Sequence, residues 1–387
     1  MIKKFNIKKT KQLKAINKVL SLFYRKPKSY QRIELMDVSN ILVVDFALMG
    51  DMVMDIPFFR TIRRNCPKAK ITMVCMQWAE VILGDQGLVD EFVVFNGRDL
   101  LSTPISIVKH FKEIKNALKR VNAKSYDLGI EPKGDLRHTL FMRYAKCRRT
   151  ISYNYTGGDF LVNESYTPKA ETKHLIDEKL DLLEMSGFLI DDADRLPELS
   201  LSDKWRSFAD HFKQKEGLRD KIIIGIHPGA SNVNKQYRYY PDLVDKIDRF
   251  LDKDSVYCIF EGPGEDNIVN ALEEKLSEIG RDYRRIKMNV KEYISIVSIC
   301  NVMVCNDSAA GHIAAAYGIP ALIIFGPVKA ETALPRGKNR IEFVSHECEC
   351  KPCTLPICPL GTEECIKSVR SDEVADKFKS IIAYIKR

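Results

Sequence analysis

The feature that most constrains this chain is an alternation of strand-like and helix-like segments that occurs twice along its length. Short runs rich in β-branched and other apolar residues, Ile41–Phe46, Ile71–Met76, Phe92–Phe95 and Tyr126–Glu131, are interleaved with amphipathic stretches such as Met52–Arg64 and Ile105–Val121. A second series starts at Lys221 (KIIIGIH) and continues through Val256–Phe260, Arg285–Met288, Val302–Cys305 and Ala321–Phe325. Apolar strands alternating with helices indicate a parallel sheet covered on both faces, so each series predicts one doubly wound α/β domain. The polar stretch Asp191–Asp203 separates the two series. The expected organisation is a basic amphipathic segment over 1–34, a Rossmann-like domain over 35–195 and a second one over 196–387. The last includes a Cys-rich segment, 346–365, and a C-terminal helix. In such sheets ligands bind beyond the carboxyl ends of the strands, so the loops just after each strand are where a site is expected.

Composition narrows the classes of function. The 387 residues are 45% hydrophobic and 29% charged, values of an ordinary globular protein. No apolar run approaches the ~20 residues of a spanning helix. The N-terminus has basic residues but no apolar h-region, so no secretory signal is expected. The eleven cysteines are then expected as free thiols or metal ligands in a reducing, cytoplasmic setting. The net charge of +9 is local: residues 1–32 hold eleven Lys or Arg and no acidic residue, and the remainder carries 50 basic against 52 acidic residues. A nucleic-acid partner is therefore not expected. Within the basic segment Leu13, Ile16, Leu20 and Phe23 recur at helical spacing, widened by Val19 and Tyr24. Lys11, Lys14 and Lys18 lie off that stripe, and Arg25, Lys26 and Lys28 follow it. Such a helix suits the headgroup region of an anionic membrane surface, which makes residues 1–32 the expected anchor.

Several chemistries are missing from the sequence. There is no G-x-x-x-x-G-K-[ST], no H-E-x-x-H and no G-x-S-x-G. After the first strand comes Leu48-Met49-Gly50-Asp51, and Asp51 there suits either a helix N-cap or a general base. After the first strand of the second series comes His227-Pro228-Gly229, followed by Lys235 and Arg238. A small-residue loop with two cations suits a phosphate, or else a solvated surface loop. Val302–Cys305 runs into Asn306-Asp307-Ser308-Ala309-Ala310-Gly311-His312. That is a helix start whose free N–H groups suit an anion, with Asp307 or Ser308 as its cap and His312 one turn on. Cys350, Cys353, Cys358 and Cys365 have C-x2-C-x4-C-x6-C spacing, which makes them candidates for a tetrahedral structural zinc site.

In order along the chain, GD after strand one, HPG with a basic turn, Gly262-Pro263-Gly264-Glu265 and the NDSxxxH helix start resemble glycosyltransferase family 9, the lipopolysaccharide heptosyltransferases. The resemblance covers about residues 40–370. It implies GT-B architecture, two Rossmann-like domains facing a cleft, with an acceptor-binding first domain and a second domain holding a nucleotide-sugar. It implies inverting transfer of a heptose or related sugar to a lipopolysaccharide core or similar glycan. No catalytic metal or other cofactor is implied, and ADP-heptose is the co-substrate of the family type. On the matching positions it makes Asp51 the base. It assigns donor contacts to His227, Gly229, Lys235, Arg238, Asp307, Ser308, Ala309, Gly311 and His312, and ribose contacts to Glu265. Lys133 and Arg137, after the fourth strand, stand where an acidic acceptor would bind. The implied placement is peripheral, on the inner face of the cytoplasmic membrane. Four positions depart from the family pattern: the loop Asp45-Phe46-Ala47-Leu48, Tyr240 in place of a tryptophan, the spacing that leaves Lys235 and Arg238 competing for one lysine position, and Ala309 in place of a glycine. These departures keep open an epimerase- or hydrolase-type enzyme, or a non-catalytic sugar-binding protein.

Overall fold

The computed structural model describes residues 7–27, 30, 33–95, 110–169, 173–353, 355 and 357–386. Lys28, the side chain of Lys11 and the first residues of the expected helix Ile105–Val121 lie outside the described residues. The chain divides into two compact units, Met1–Arg195 and Leu196–Arg387.

The first unit contains strands β1 (Asn40–Asp45), β2 (Lys70–Cys75), β3 (Glu91–Val94), β4 (Tyr126–Glu131), β5 (Cys147–Tyr153) and β6 (Glu164–Tyr166). They form one sheet in the order β3-β2-β1-β4-β5-β6, parallel throughout. Val43 pairs with Met73 on one side and Ile130 on the other. The second unit contains β7 (Ile223–His227), β8 (Val256–Phe260), β9 (Tyr283–Ile286), β10 (Val302–Asn306), β11 (Ala321–Phe325) and β12 (Ile341–Ser345). Its parallel sheet runs β9-β8-β7-β10-β11-β12. Both sheets thus share the 3-2-1-4-5-6 order of a doubly wound fold. Their order reverses between β1 and β4 and between β7 and β10, and ligand crevices form at such switch points.

The core of each unit follows from these strands. Leu42, Val44 and Val74 pack with Tyr126 and Phe141 in the first. In the second, Ile224, Ile226, Val304 and Ile324 pack under Leu243, Val244 and Phe378, the last from the C-terminal helix Ser371–Ile385. Burying each such side chain contributes about 1.5–3 kcal/mol. β5, β6 and β12 have no counterpart among the strand-like runs of the sequence, and β9 begins two residues before the run Arg285–Met288. β5 opens on Cys-Arg-Arg, β6 is three residues long, and β9 carries Arg284 and Arg285 paired to Glu216 and Glu261. These charges are satisfied by partners far away in sequence, so no local pattern reveals the strands.

The N-terminal helix, Ile7–Phe23, is part of the first unit. Leu13 is buried against Leu136 and Leu161, with Leu20 and Tyr24 beside them. Asn17 Oδ1 accepts the Gly158 N–H at 2.7 Å. Gly157 and Gly158 both have positive φ, and a Cβ on Gly157 would lie 2.3 Å from the Asn17 side chain. Glycine is therefore required where the helix lands. Part of the apolar stripe expected to meet a membrane is consequently turned into the protein.

Candidate functional site

In the first unit the switch point is built from the loops after β1 and β4. Glu131, fully buried at the end of β4, accepts the N–H groups of Lys133 (3.1 Å) and Gly134 (2.6 Å) and the Ser152 hydroxyl (2.7 Å). This folds the loop so that Lys133 Nζ donates to Asp51 Oδ2 at 2.8 Å and lies 3.5 Å from Asp45 Oδ1. Asp51 stands in the first turn of the helix Met49–Met54; the N-cap is Leu48. The capping role open for Asp51 in the sequence is thus not taken, and its carboxylate, 31% exposed, joins a charge cluster instead. Beneath it Lys179, from the helix Leu175–Met185, lies 3.2 Å from Asp45 Oδ2 and hydrogen-bonds Asp55. Asp45, Asp55 and Lys179 are all buried. Burial opposes the charge on Lys133, but Asp45, Asp51 and Asp55 outweigh it and hold the ammonium protonated. Burial likewise opposes ionisation of Asp45, and Lys133 and Lys179 overcome it, keeping that carboxyl below its ordinary value. At Asp55 burial wins, pushing the carboxyl up to about 7 against the pull of Lys179. The second expected acceptor residue, Arg137, forks onto Asp135, which also caps the helix Leu136–Arg143.

In the second unit the loops after β7, β8 and β10 converge. The Glu265 carboxylate accepts the Gly262 N–H at 2.7 Å and lies flat against Gly229, where a Cβ would come within 1.8 Å of it. Gly229 is therefore needed for close approach, and it joins the HPG and GPGE motifs into one site. His227 Nε2 is 4.0 Å from Glu265 Oε2, and its Nδ1 hydrogen-bonds the Tyr293 hydroxyl at 3.2 Å. Burial lowers the His227 pKa to about 4, so the imidazole is neutral at physiological pH. Burial raises the Glu265 carboxyl, with the Gly262 N–H opposing.

Lys235 Nζ donates to Asp307 Oδ2 at 2.5 Å. Arg238 instead reaches Glu363 at 3.4 Å and is more than half exposed. The two cations competing for one position in the sequence are thus separated, and Lys235 is the one at the NDS motif. Ser308 is the N-cap of the helix Ala309–Ala316 without a side-chain capping bond, and its buried hydroxyl lies beside the Cys305 thiol. Ala309 is the first residue of that helix and His312 is buried within it. Gly311 serves packing, since a Cβ there would meet Ile323 Cδ1 at 2.5 Å.

Asn306 opens the motif Asn306–His312, and the sequence assigns it no role. It is fully buried, donates to the carbonyls of Pro228 (2.7 Å) and Gly229 (3.1 Å), and accepts from Tyr237 N and the Tyr240 hydroxyl, each at 3.2 Å. It locks the HPG loop to the end of β10, and Tyr240 joins the lock in the tryptophan position. A polar residue ending an apolar strand was the available signal. Tyr293, Lys179 and Asp55 gave none, because their partners lie 66, 134 and 124 residues away.

The zinc candidates Cys350, Cys353, Cys358 and Cys365 all lie in the second unit. Among the described residues no group of three or more His, Cys, Asp or Glu side chains is disposed to hold a metal ion. Cys358 accepts the Glu363 N–H and Cys350 lies against Cys348 at 3.6 Å, while Cys353 and Cys365 are buried. Cys350 feels the charges of Cys348, Cys353 and Cys358, and Cys365 those of Cys348, Cys350 and Cys358, so these thiols are neighbours within the second unit.

Comparison with known proteins gives the family and the fold. The family model of glycosyltransferase family 9 (heptosyltransferase) matches residues 114–362. A lipooligosaccharide heptosyltransferase 2 of Campylobacter jejuni (serotype O:2) is 25% identical over 165 residues, 42% of this chain and 51% of that protein. The chain thus spans about half the length of that relative. The lipooligosaccharide heptosyltransferase 2 of Haemophilus influenzae is 22% identical over 310 residues, covering 76% of this chain and 86% of that protein. The crystal structure of a family 9 glycosyl transferase from Veillonella parvula superposes with a TM-score of 0.75 at 16% identity, covering 92% of this chain and all of that one.

Proposed function

Because the chain belongs to glycosyltransferase family 9, we propose that it moves a heptose or related sugar from a nucleotide-sugar, ADP-heptose in the first instance, to a lipopolysaccharide core or similar glycan. The observation that carries this reading is the Asp51 carboxylate at the switch point of the first sheet, partly exposed and held by Lys133 at 2.8 Å. A sugar hydroxyl is a poor nucleophile at neutral pH, so a carboxylate must take its proton as it attacks the anomeric carbon. Attack from the face opposite the departing nucleotide inverts that carbon. The nucleoside diphosphate leaves with added negative charge. In this reading Lys235 and the N–H groups at the start of Ala309–Ala316 stabilise it without a metal ion.

Glu265, between Gly229 and Gly262, is proposed to accept the ribose hydroxyls, and the Ser308 hydroxyl to bond the donor. Lys133 and Arg137 are proposed to meet acidic groups of the acceptor, which would displace their present partners Asp51 and Asp135. The proposal places the enzyme at the cytoplasmic face of an anionic membrane, on the evidence of the cationic residues 1–32. None of the described helices is long and apolar enough to cross a membrane.

The test is Asp51→Asn assayed with ADP-heptose. Turnover should fall by about 10²–10⁴, with donor affinity nearly intact. Near-parental turnover would remove Asp51 from the mechanism.

A further inference from the structure

The helix Ile7–Phe23 carries more apolar surface than its packing covers. At roughly 100° per residue, Leu13, Asn17, Leu20 and Tyr24 share one arc, and this arc is the one that packs on Leu136 and Leu161. Ile16, Val19, Leu22 and Phe23 occupy the neighbouring arc and are 49%, 56%, 81% and 78% exposed. Together the two arcs take up roughly 220° of the helix, about twice the stripe that one packing face needs. Lys14 and Lys18 fill the remaining arc, and Arg25 and Lys26 follow the helix, all exposed. The helix end is tied to the body through the Tyr24 and Tyr144 hydroxyls. Next to Tyr144, a cavity of about 330 Å³ opens between Pro27, Tyr30 and the start of β5, lined by Arg143 and Arg148 with Met142 and Leu161.

We propose that the uncovered arc and the cavity dock together on an anionic phospholipid bilayer, with Ile16, Val19, Leu22 and Phe23 entering the acyl boundary and the cavity taking a headgroup phosphate between Arg143 and Arg148. The proposal rests on the membrane association given above and specifies its face: the helix is held to the first unit, so the bilayer is met by the arc that the protein leaves uncovered. Apolar side chains flanked by cations are the combination that seats a helix in the headgroup region. Guanidinium groups bind phosphate oxygens through charge-assisted hydrogen bonds. Charge selects lipid over a second copy of the chain, because two segments each with eleven cations and no acidic residue repel.

The test is cosedimentation of the full chain with phosphatidylcholine vesicles, with and without phosphatidylglycerol. The parent should bind the anionic vesicles and be released as salt rises. Leu22→Ser/Phe23→Ser should lower partitioning by more than about tenfold, and Arg143→Gln/Arg148→Gln by several-fold. Leu22 and Phe23 face solvent and the two arginines line the cavity, Arg148 also lying 3.5 Å from Asp127 in an exposed ion pair of small worth, so thermal melts should match the parent; Ile16→Ser/Val19→Ser on the same arc gives an independent reading. Equal binding by the Leu22/Phe23 variant, or equal binding to neutral vesicles, would overturn the proposal. So would a parent dimer that the same variant dissociates, which would make the face an interface between copies. Thermal stabilisation by inorganic phosphate that is lost in the arginine variant while its vesicle binding stays parental would overturn the headgroup assignment. Stabilisation by ADP-heptose, measured on the same variants, reports on the transferase reading separately, because neither substitution touches Asp51 or the loops after β7 and β10.

Discussion

Replacing Lys179 by methionine tests whether the charge cluster beneath Asp51 is held together by that one buried ammonium. Lys179 lies between Asp45 and Asp55, and all three are nearly inaccessible to solvent, at 4%, 1% and 1% exposure. Asp45 would keep Lys133 at 3.5 Å, whereas Asp55 would lose the ammonium it hydrogen-bonds. Removing one partner of a buried pair strands an uncompensated charge and typically costs about 3–5 kcal/mol. In a unit of this size that lowers Tm by about 6–20 °C. The pH dependence has a definite sign. Burial raises Asp55 from 3.8 to about 7 in the folded protein, so its contribution to stability is full below pH 3.8 and lost as pH rises through 7. Without Lys179 the carboxyl is raised further, and the deficit against the parent should be largest above pH 7 and shrink toward pH 5 as Asp55 takes a proton. Trp78 is a convenient probe, since its indole N–H donates to Ala47 O at 2.6 Å in the loop after β1. The second of the two tryptophans, Trp205, can be removed as Trp205→Phe. Urea unfolding at pH 5 and pH 8, followed by Trp78 fluorescence, then gives both numbers. A loss below about 1 kcal/mol at pH 8 would refute the reasoning, as would an equal loss at the two pH values. Lys179→Met/Asp55→Asn should recover part of the deficit, because the coupling between contacting residues is what the double variant removes.

In the second unit, Lys235→Ala should weaken binding of a nucleoside diphosphate more than Arg238→Ala, by titration calorimetry, because Lys235 stands at Asp307 and Arg238 at Glu363; equal effects would contradict the separation of the two cations. Gly229→Ala should displace the Glu265 carboxylate, which a Cβ would approach to 1.8 Å, and should cost donor affinity by at least about tenfold (about 1.4 kcal/mol); parental affinity would show that Glu265 is not in the donor site. Elemental analysis of protein purified without chelator tests the zinc site that the C-x2-C-x4-C-x6-C spacing suggests: about one zinc per chain is the expected result if Cys350, Cys353, Cys358 and Cys365 bind it, and well under one per chain would end the idea.

The parts of the molecule that were legible in the sequence are the parts whose cause is local. β1, β2, β4, β7, β8, β10 and β11 announce themselves because a strand buried on both faces must be apolar along its whole length. The motif loops are legible for a similar reason, since a glycine or a small polar cluster just after a strand has few structural uses. Lys235–Asp307, Lys179–Asp55 and Glu265 against Gly229 are different in kind. Each joins residues that no local pattern relates: the 3-2-1-4-5-6 order sets the loops after β7 and β10 side by side for Lys235–Asp307 and those after β7 and β8 for Glu265 against Gly229, and the helix Leu175–Met185 brings Lys179 to Asp55. The N-terminal helix makes the same point from the other direction. Its periodicity is plain, but periodicity says only that apolar residues share an arc. Gly157 and Gly158 accept the arc of Leu13, Asn17, Leu20 and Tyr24 into the protein, and the arc of Ile16, Val19, Leu22 and Phe23 remains outside. The chemistry follows the topology in the same way. One order of strands is used twice: at the first switch point it presents a carboxylate held by a lysine, and at the second a glycine loop, a lysine and a helix start. The difference between the proposed proton acceptor and the proposed anion site therefore lies in the few residues that end β1, β4, β7 and β10, not in the fold that carries them.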